Sequence, residues 1–228
     1  ISTPAPRGKL EAQQIEPIEV CARYPERSRT DKGGGVLIID VGQNMAGWLR
    51  IRVQGERGAS VTLKFGEQLT QEGYVDRINL RSARCTDTYI LRGEGVEEYA
   101  PRFTYHGFRY VQAEISGKAE LLSCVGEHVH TATRVVGDFS CSDEQLCRLH
   151  RIALVTELNN EHSVLTDCPQ RDERFGWLND LGSRIYQTVY NIDLARFIPK
   201  FIRDITHTQQ PDGGIADTAP YYTGGVPA

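Results

Sequence analysis

Hydrophobic and polar residues alternate along much of the first half of the chain. The alternation is clear in segments 49–54, 61–65 and 86–91, and segments 108–115 and 121–129 continue it. Turn residues rich in glycine, such as 55–58 and 93–95, separate these segments. A period of two residues is typical of strands that bury one face. From residue 36 to about 136 the pattern therefore predicts a β-sandwich of jelly-roll type.

Near residue 137 the hydrophobic period changes from that of a strand to that of a helix. Ser142 and Gln145 have the spacing of a capping box, which predicts a helix starting there. Three apolar stripes follow at helical spacing: Leu146, Leu149, Ile152 and Ala153; then Leu181, Ile185 and Val189; then, from Asp193, Leu194, Phe197, Ile198, Phe201, Ile202 and Ile205. Pro199 lies inside the third stripe and should kink or break that helix. The fold class is therefore mixed, with strands first and helices after them.

The first 35 residues carry little periodic pattern and are rich in proline, glycine and charge. Ile15, Ile18 and Val20 suggest one short strand, and Pro17 favours an edge position for it. We interpret 1–35 as the tail of a preceding module, 36–136 as the sandwich and 137–228 as the start of a helical domain. Trp48 begins an alternating strand, so we expect it in the core of the sandwich.

Composition and charge exclude several classes of function. The chain has 228 residues, 39% of them hydrophobic and 25% charged, and a formal net charge of −4. No basic cluster follows one face, so we expect no nucleic-acid partner. The longest apolar run, 36–39, is far too short to cross a bilayer, so we expect no membrane partner.

The six cysteines show no Cys-x-x-Cys spacing, and buried or half-buried free thiols are the favoured interpretation. That interpretation slightly favours a cytoplasmic location, although the location stays undetermined. The chain opens with Ile1 and shows no signal peptide. We expect both ends to be truncated relative to the natural protein.

The chemistry of the chain is concentrated in residues 167–180, Asp-Cys-Pro-Gln-Arg-Asp-Glu-Arg-Phe-Gly-Trp-Leu-Asn-Asp. Carboxylates here alternate with arginines and end beside a Gly-Trp pair. Carboxylates hydrogen-bond sugar hydroxyls and move protons, while an aromatic ring covers the apolar face of a sugar. The stretch therefore favours a sugar site, and a charged loop with a buried tryptophan is the alternative.

The same stretch resembles the acid-bearing segment of the bacterial α-L-rhamnosidases, glycoside hydrolase family 78. Two earlier segments, Asp40-Val-Gly-Gln-Asn-Met-Ala-Gly-Trp48 and Pro101-Arg-Phe-Thr-Tyr-His-Gly-Phe-Arg-Tyr110, resemble the β-domain of those enzymes. Phe139-Ser-Cys-Ser-Asp-Glu-Gln-Leu146 resembles the entry to their catalytic domain. The four motifs occur in the family's order, and the resemblance runs from about residue 35 to the end.

The resemblance implies a fold and a mechanism. The helical part would be the start of an (α/α)₆ barrel that is truncated here. Family members invert configuration at the anomeric carbon, and Glu173 matches their general acid. Asp167, Arg171, Trp177 and Asp180 match the residues that hold the rhamnose ring. The general base would lie beyond residue 228, so this chain alone is expected to be inactive. The expected partners are rhamnose-containing glycosides, and no cofactor or metal is implied.

Several alternatives stay open at this stage. Asp167, Asp172 and Asp180 would help Glu173 keep a proton by like-charge repulsion, whereas Arg171 and Arg174 would oppose this. Residues 172–174 could instead form a structural ion-pair network. The protein could also be a carbohydrate-binding module without activity, or a glycosidase or lyase of other specificity on the same scaffold.

Three further features are ambiguous. His128 and His130 share one face of a strand, and without a third ligand nearby we interpret them as a surface or interface pair rather than a metal site. Asp212-Gly213-Gly214 resembles a barrel loop near the sugar, but a plain Asp-Gly turn fits equally well. The stripe from Leu194 to Ile205 leaves a homodimer open, since it could pair with a second copy.

Overall fold

The computed structural model describes residues 11–221, and its strands precede its helices. The strands are β1 (Ile18–Pro25), β2 (Ser28–Gly33), β3 (Val36–Gly55), β4 (Ser60–Gly66), β5 (Gln68–Leu69), β6 (Val75–Asp76), β7 (Thr86–Ile90), β8 (Val96–Tyr99), β9 (His106–Ser116) and β10 (Ala119–Thr131). A 3-10 turn spans Ile78–Leu80, and the helices are α1 (Glu144–Asn159), α2 (Leu178–Asn191) and α3 (Phe197–His207). This order agrees with the predicted strands-then-helices class.

The long strand β3 organises the sheet. Its first half pairs with β2 and β9, and its second half pairs with β10 and β8. A register shift between Asp40 and Met45 bends it between the two halves. All pairings in the path β1-β10-β3-β9-β4-β7 are antiparallel. One bent strand therefore belongs to two leaves of a curled sheet.

Two strands come from the region that we assigned to a preceding module. β1 pairs with β10, at one edge of the sheet as Pro17 suggested, and β2 pairs with β3. Residues 18–33 therefore take part in the same sheet as residues 36–131. The division of the chain into three domains stays a prediction.

Gly47 lies where β3 passes between its two sets of partners. It is aligned with His106 of β9 and with His128 of β10. A Cβ atom at this position would lie 1.9 Å from the carbonyl oxygen of Glu127. Only glycine allows the strands to approach this closely, which explains the glycine in the segment 40–48.

The core of the sandwich is built from the alternating apolar positions. Leu49, Ile51 and Val53 are completely buried, as the period predicts. Trp48 corrects our expectation, because it faces away from this core and is only half-buried. Its indole Nε1 donates a hydrogen bond to Glu127 Oε2 at 2.7 Å. The period of two sends neighbours to opposite faces, so a buried Leu49 requires an outward Trp48.

Helix boundaries differ from the predicted ones in two places. The N-cap of α1 is Asp143 rather than Ser142, and its carboxylate accepts from the N–H of Gln145 at 2.8 Å. Aspartate and serine are equally favourable N-cap residues, so the helix can begin one residue later than predicted. α3 begins at Phe197, four residues later than expected, and Pro199 lies in its first turn. There a missing N–H costs nothing, because that N–H would have no partner within the helix.

A second apolar core lies in the helical part of the chain. It consists of Leu165, Ile192, Leu194, Phe197, Phe201 and Ala219. Leu181 and Ile185 of α2 pack against it, but Val189 of the same stripe is 48% exposed. The predicted stripe of α1 is also largely exposed, with Leu149 at 62%. Among the described residues, no helix is long and apolar enough to cross a membrane.

Candidate active site

The acid loop, residues 161–177, joins α1 to α2 without regular secondary structure. Two hydrogen bonds between Asp167 and Phe175 close part of this loop. Asp167 N donates to Phe175 O at 3.1 Å, and Phe175 N donates to the side-chain atom Asp167 Oδ1 at 2.8 Å. Gly176 lies against the segment that follows α3, where a Cβ atom would meet Ala219 O at 2.2 Å. Both ends of the segment between Asp167 and Phe175 are therefore held in place.

Glu173 lies on this segment with hydrogen-bond donors on both carboxylate oxygens. Trp177 Nε1 donates to Oε1 at 3.1 Å, and Arg81 Nη1 donates to Oε2 at 2.8 Å. Arg171 Nε lies 3.5 Å from Oε2. The side chain of Glu173 is 19% exposed, so the carboxyl group is reachable from solvent yet held on both sides.

Asp167 and Arg171 carry polar atoms without hydrogen-bond partners. Asp167 Oδ1 is used by the loop backbone, but Oδ2 is buried and accepts no hydrogen bond among the described residues. Arg171 Nε is likewise buried and donates none there. Their side chains approach to 3.5 Å without hydrogen-bond geometry. Buried polar groups in folded proteins almost always have partners, so an unpaired acceptor and an unpaired donor in one loop are an exception that needs a physical reason.

The loop could supply three metal ligands, but its chemistry disfavours a metal. Asp167, Cys168 and Glu173 place one ligand atom each within 4.8 Å of one another. Arg171 lies at 3.5 Å from both carboxylates, so a fixed cation already stands where a metal would bind. Burial also raises the pKa of the Cys168 thiol, whereas a metal requires the thiolate.

The acid loop packs against the surface of the sandwich. Ser82 N donates to Asp172 Oδ2 at 3.3 Å, and Ser82 Oγ contacts the same oxygen. Cys85 Sγ donates to Gln170 O at 2.9 Å. Gly107 approaches so closely that a Cβ atom there would lie 2.8 Å from Gln170 Cβ. The glycine of the segment 101–110 therefore makes room for the loop.

Comparison with known proteins supports one family over most of the chain. A model of the bacterial α-L-rhamnosidase concanavalin-like domain matches residues 30–131. A model of the bacterial α-L-rhamnosidase six-hairpin glycosidase domain matches residues 134–228.

The chain belongs to the bacterial α-L-rhamnosidase family. The α-L-rhamnosidase of Streptomyces avermitilis is 39% identical over 213 residues, which are 93% of this chain and 21% of that protein. The structure of that enzyme complexed with L-rhamnose matches with a TM-score of 0.89, covering 93% of this chain and 21% of that one. The α-L-rhamnosidase from Dictyoglumus thermophilum matches with a TM-score of 0.88 at 37% identity, covering 93% and 24%.

These matches confirm the fold class, a sandwich followed by the start of a helical barrel domain. The chain spans about a fifth of the length of the curated rhamnosidases it matches. The exposed faces of α1 and α2 belong to a domain whose family model contains six helical hairpins.

The remaining predicted site residues lie at the end of the acid loop. Trp177 immediately precedes α2 and pairs as a bridge with Thr218. Asp180 lies in the first turn of α2 and is half-buried, and its carboxylate accepts no hydrogen bond among the described residues. A cavity of about 300 Å³ lies beside Glu173, lined also by Val164 and Gly176. The structure therefore brings Asp167, Arg171, Glu173 and Trp177 into direct contact, and leaves Asp180 next to them in sequence.

Asp212 forms a local turn rather than a contact with the acid loop. Its Oδ1 accepts from Gly214 N at 2.9 Å, and the residue is exposed. The segment just after it does reach the loop, since Leu178 N donates to Asp217 O and Ala219 N to Gly176 O, each at 3.0 Å.

The loop is held on its other side by a stack that the sequence did not reveal. The guanidinium of Arg174 lies 4.0 Å from the ring centroid of Tyr105, and its Nη2 donates to Tyr105 O at 2.8 Å. Tyr105 in turn stacks on His162 with centroids 3.8 Å apart and planes 4° from parallel. Arg174 has a φ of 58°, which turns the chain so that neighbouring Glu173 faces Arg81 while Arg174 faces Tyr105.

His128 and His130, which we expected to be a surface or interface pair, do not lie on the surface. They are 3% and 5% exposed, with ring centroids 4.6 Å apart. The end of β10 that carries them is covered by the acid loop, whose His162 Nε2 donates to Val129 O at 2.9 Å. Burial lowers the pKa of His128 to about 4. The pair is therefore part of the junction between sheet and loop.

Proposed function

We propose that this chain carries the general acid and part of the sugar site of an inverting α-L-rhamnosidase that acts on rhamnose-containing glycosides. The observation that carries the proposal is the free acceptor Asp167 Oδ2 and the free donor Arg171 Nε beside the carboxyl group of Glu173. A sugar hydroxyl both donates and accepts, so the hydroxyls of one sugar suit an unpaired acceptor as well as an unpaired donor. The relative from Streptomyces avermitilis, crystallised with L-rhamnose, supports rhamnose as the sugar.

Glu173 is proposed to protonate the oxygen of the leaving group. A carboxyl group has about four acceptor positions, and the donors Trp177 and Arg81 use one on each oxygen. A position on either oxygen is left for the proton. Trp177 is half-buried and donates its N–H to Glu173, and we assign its ring to the apolar side of a 6-deoxy sugar.

Asp167 does not fit the role of the second catalytic carboxylate. Inverting glycosidases hold their two carboxyl groups about 6.5–9.5 Å apart, because a water must fit between the base and the sugar. A carboxylate oxygen of Asp167 lies within 4.8 Å of one of Glu173. Asp167 suits hydroxyl binding instead, and in this proposal the base comes from a part of the enzyme beyond residue 228.

The test is hydrolysis by the full-length product of the gene. We expect p-nitrophenyl α-L-rhamnoside to be cleaved in preference to other aryl glycosides. The first sugar released should be β-L-rhamnose, which NMR distinguishes before the anomers equilibrate. The 228-residue chain alone is expected to be inactive in the same assay. Binding of L-rhamnose without hydrolysis by the full-length product would favour the carbohydrate-binding alternative.

Asp167→Asn should weaken sugar binding while keeping the loop closed. The asparagine oxygen can still accept from Phe175 N, but an NH₂ group replaces the free acceptor Oδ2. A hydrogen bond to a charged group contributes about 1.5–3 kcal/mol, so L-rhamnose should bind about 10–150-fold more weakly by calorimetry. Asp180→Asn should also weaken sugar binding, because we expect its carboxylate to accept a hydroxyl as well.

The matched control is Asp193→Asn, which neutralises a carboxylate paired with Arg134 outside the acid loop. It should leave the affinity for L-rhamnose within about twofold. Unchanged affinity in Asp167→Asn would remove this residue from the sugar site.

A further inference from the structure

The sandwich contributes one side chain directly to the candidate acid. Arg81 lies just after the 3-10 turn, and its Nη1 donates to Glu173 Oε2 at 2.8 Å. Within residues 11–221, it is the single group from the strand-forming part that contacts the Glu173 carboxylate. We propose that Arg81 is a positioning residue that fixes the orientation of the Glu173 carboxyl group. This inference rests on the function proposed above.

The segment that carries Arg81 is anchored on both sides in the sandwich core. Leu80 is 1% exposed and Cys85 is 6% exposed, and both belong to the main apolar cluster. Arg81 itself has a φ of 56°, which few side chains adopt without a structural reason. With Leu80 and Cys85 buried on either side of it, the segment places Arg81 on the surface that faces the acid loop.

Two adjacent residues of the sandwich hold two adjacent carboxylates of the loop. Ser82 binds Asp172 through its N–H and its hydroxyl, and Arg81 binds Glu173. Separate bonds therefore hold the side chain of Asp172 and the side chain of Glu173. Loss of the Arg81 side chain would therefore leave Asp172 in place and affect mainly the Glu173 carboxyl.

The carboxyl plane of Glu173 is defined only when both of its oxygens are held. Trp177 holds Oε1, and Arg81 supplies the hydrogen bond to Oε2, since Arg171 Nε at 3.5 Å lacks hydrogen-bond geometry. Without Arg81 the carboxyl could rotate about its terminal bond, a torsion with a broad, shallow profile. A general acid must hold its proton within hydrogen-bond reach of the leaving oxygen, so this rotation would slow proton transfer.

The test compares leaving groups in the full-length product of the gene. Arg81→Ala should lower kcat/KM for a rhamnoside with a poor, alkyl leaving group by about 10–100-fold, because misplacing a reacting group by about 1 Å has effects of this size. A dinitrophenyl rhamnoside needs little protonation and should lose less than about threefold. Arg81→Lys, which keeps a donor on a flexible stem, should recover part of the loss.

Arg84→Ala is the matched control, because Arg84 lies on the same exposed segment and, among the described residues, makes no hydrogen bond or ion pair with Glu173. It should change neither rate by more than about twofold. An equal loss on both substrates in Arg81→Ala would indicate a merely structural role and overturn the inference. No loss on either substrate would overturn it as well.

Glu173→Gln in the same assay separates the positioning role of Arg81 from the proposed role of Glu173 as the general acid. If it shows a strong dependence on the leaving group and Arg81→Ala does not, the positioning inference fails and the proposed function stands. If Glu173→Gln shows no such dependence, Glu173 is not the general acid, and the basis of the Arg81 inference fails with it.

Discussion

In the full-length product of the gene, Glu173→Gln is expected to lower the rate of hydrolysis of natural rhamnosides by about 10²–10⁴-fold, the usual contribution of a general acid. The change removes the only proton that the side chain can donate to the leaving oxygen. It also disturbs the resting geometry, because both carboxylate oxygens accept from donors, Trp177 and Arg81. An amide has one oxygen, so its NH₂ group must face one of these two donors.

The measurement is kcat/KM on a series of rhamnosides whose leaving groups differ in basicity. Much of the loss should be recovered with a dinitrophenyl leaving group, which departs without a proton. Glu144→Gln, a carboxylate exposed at the start of α1, serves as the control and should retain normal rates. Full activity of Glu173→Gln on natural rhamnosides would exclude this residue as the acid.

Much of the fold could be read from the period of apolar residues. The strands of the sandwich each bury one face, so 49–53 and 61–65 showed their period of two directly. The strand β2, with the sequence Ser-Arg-Thr-Asp-Lys-Gly, has no such pattern because it lies off the main path of the sheet and pairs only with β3. The bend of β3 was also hidden, because it depends on a register shift rather than on residue type.

The candidate site was only partly predictable for a different reason. Residues 167–180 are contiguous, so their chemistry could be recognised as one motif. Arg81, Ser82 and Tyr105 lie far earlier in the chain and reach the loop only through the packing of the sandwich against it. Local pattern carries no information about such contacts. The motif 101–110 did mark the region that holds Tyr105, but not its contact with Arg174.

His162 of the acid loop also affects the stability of the protein at low pH. Burial is the main cause that lowers the pKa of His162 to about 3, and the nearby charge of Arg174 adds to it. His162 donates Nε2 to Val129 O, and its Nδ1 is buried without a hydrogen-bond partner within residues 11–221. The folded protein therefore keeps this ring neutral at pH values where an unfolded histidine would be charged.

The sign of the effect follows from the lowered value. The unfolded chain takes up a proton near pH 6.5, whereas the folded chain does so only near pH 3. Stability is thus fully present above about pH 6.5 and is lost as the pH falls towards 3. Each pKa unit corresponds to about 1.4 kcal/mol, so His162 should remove roughly 3 kcal/mol between pH 7 and pH 4.

Glu161, the neighbour of His162, acts in the opposite sense. Burial raises its pKa to about 7, so its contribution is present below about pH 4.5 and is lost as the pH rises through 7. The pH dependence of the unmodified protein therefore combines opposing effects of several groups, among them the lowered pKa of His128. The contribution of His162 is obtained only from the difference in pH dependence between the protein and a variant without His162.

His162→Gln is the variant to compare, because glutamine does not titrate and its amide can still donate to Val129 O. We expect urea unfolding to show that the protein loses about 3 kcal/mol more than the variant between pH 7 and pH 4. His207→Gln, an exposed histidine in the last turn of α3, should reproduce the pH dependence of the unmodified protein. Parallel curves for the protein and His162→Gln would show that His162 titrates alike in the folded and unfolded states. The stack of His162, Tyr105 and Arg174 would then have to admit a charged ring, contrary to its buried position beside a cation.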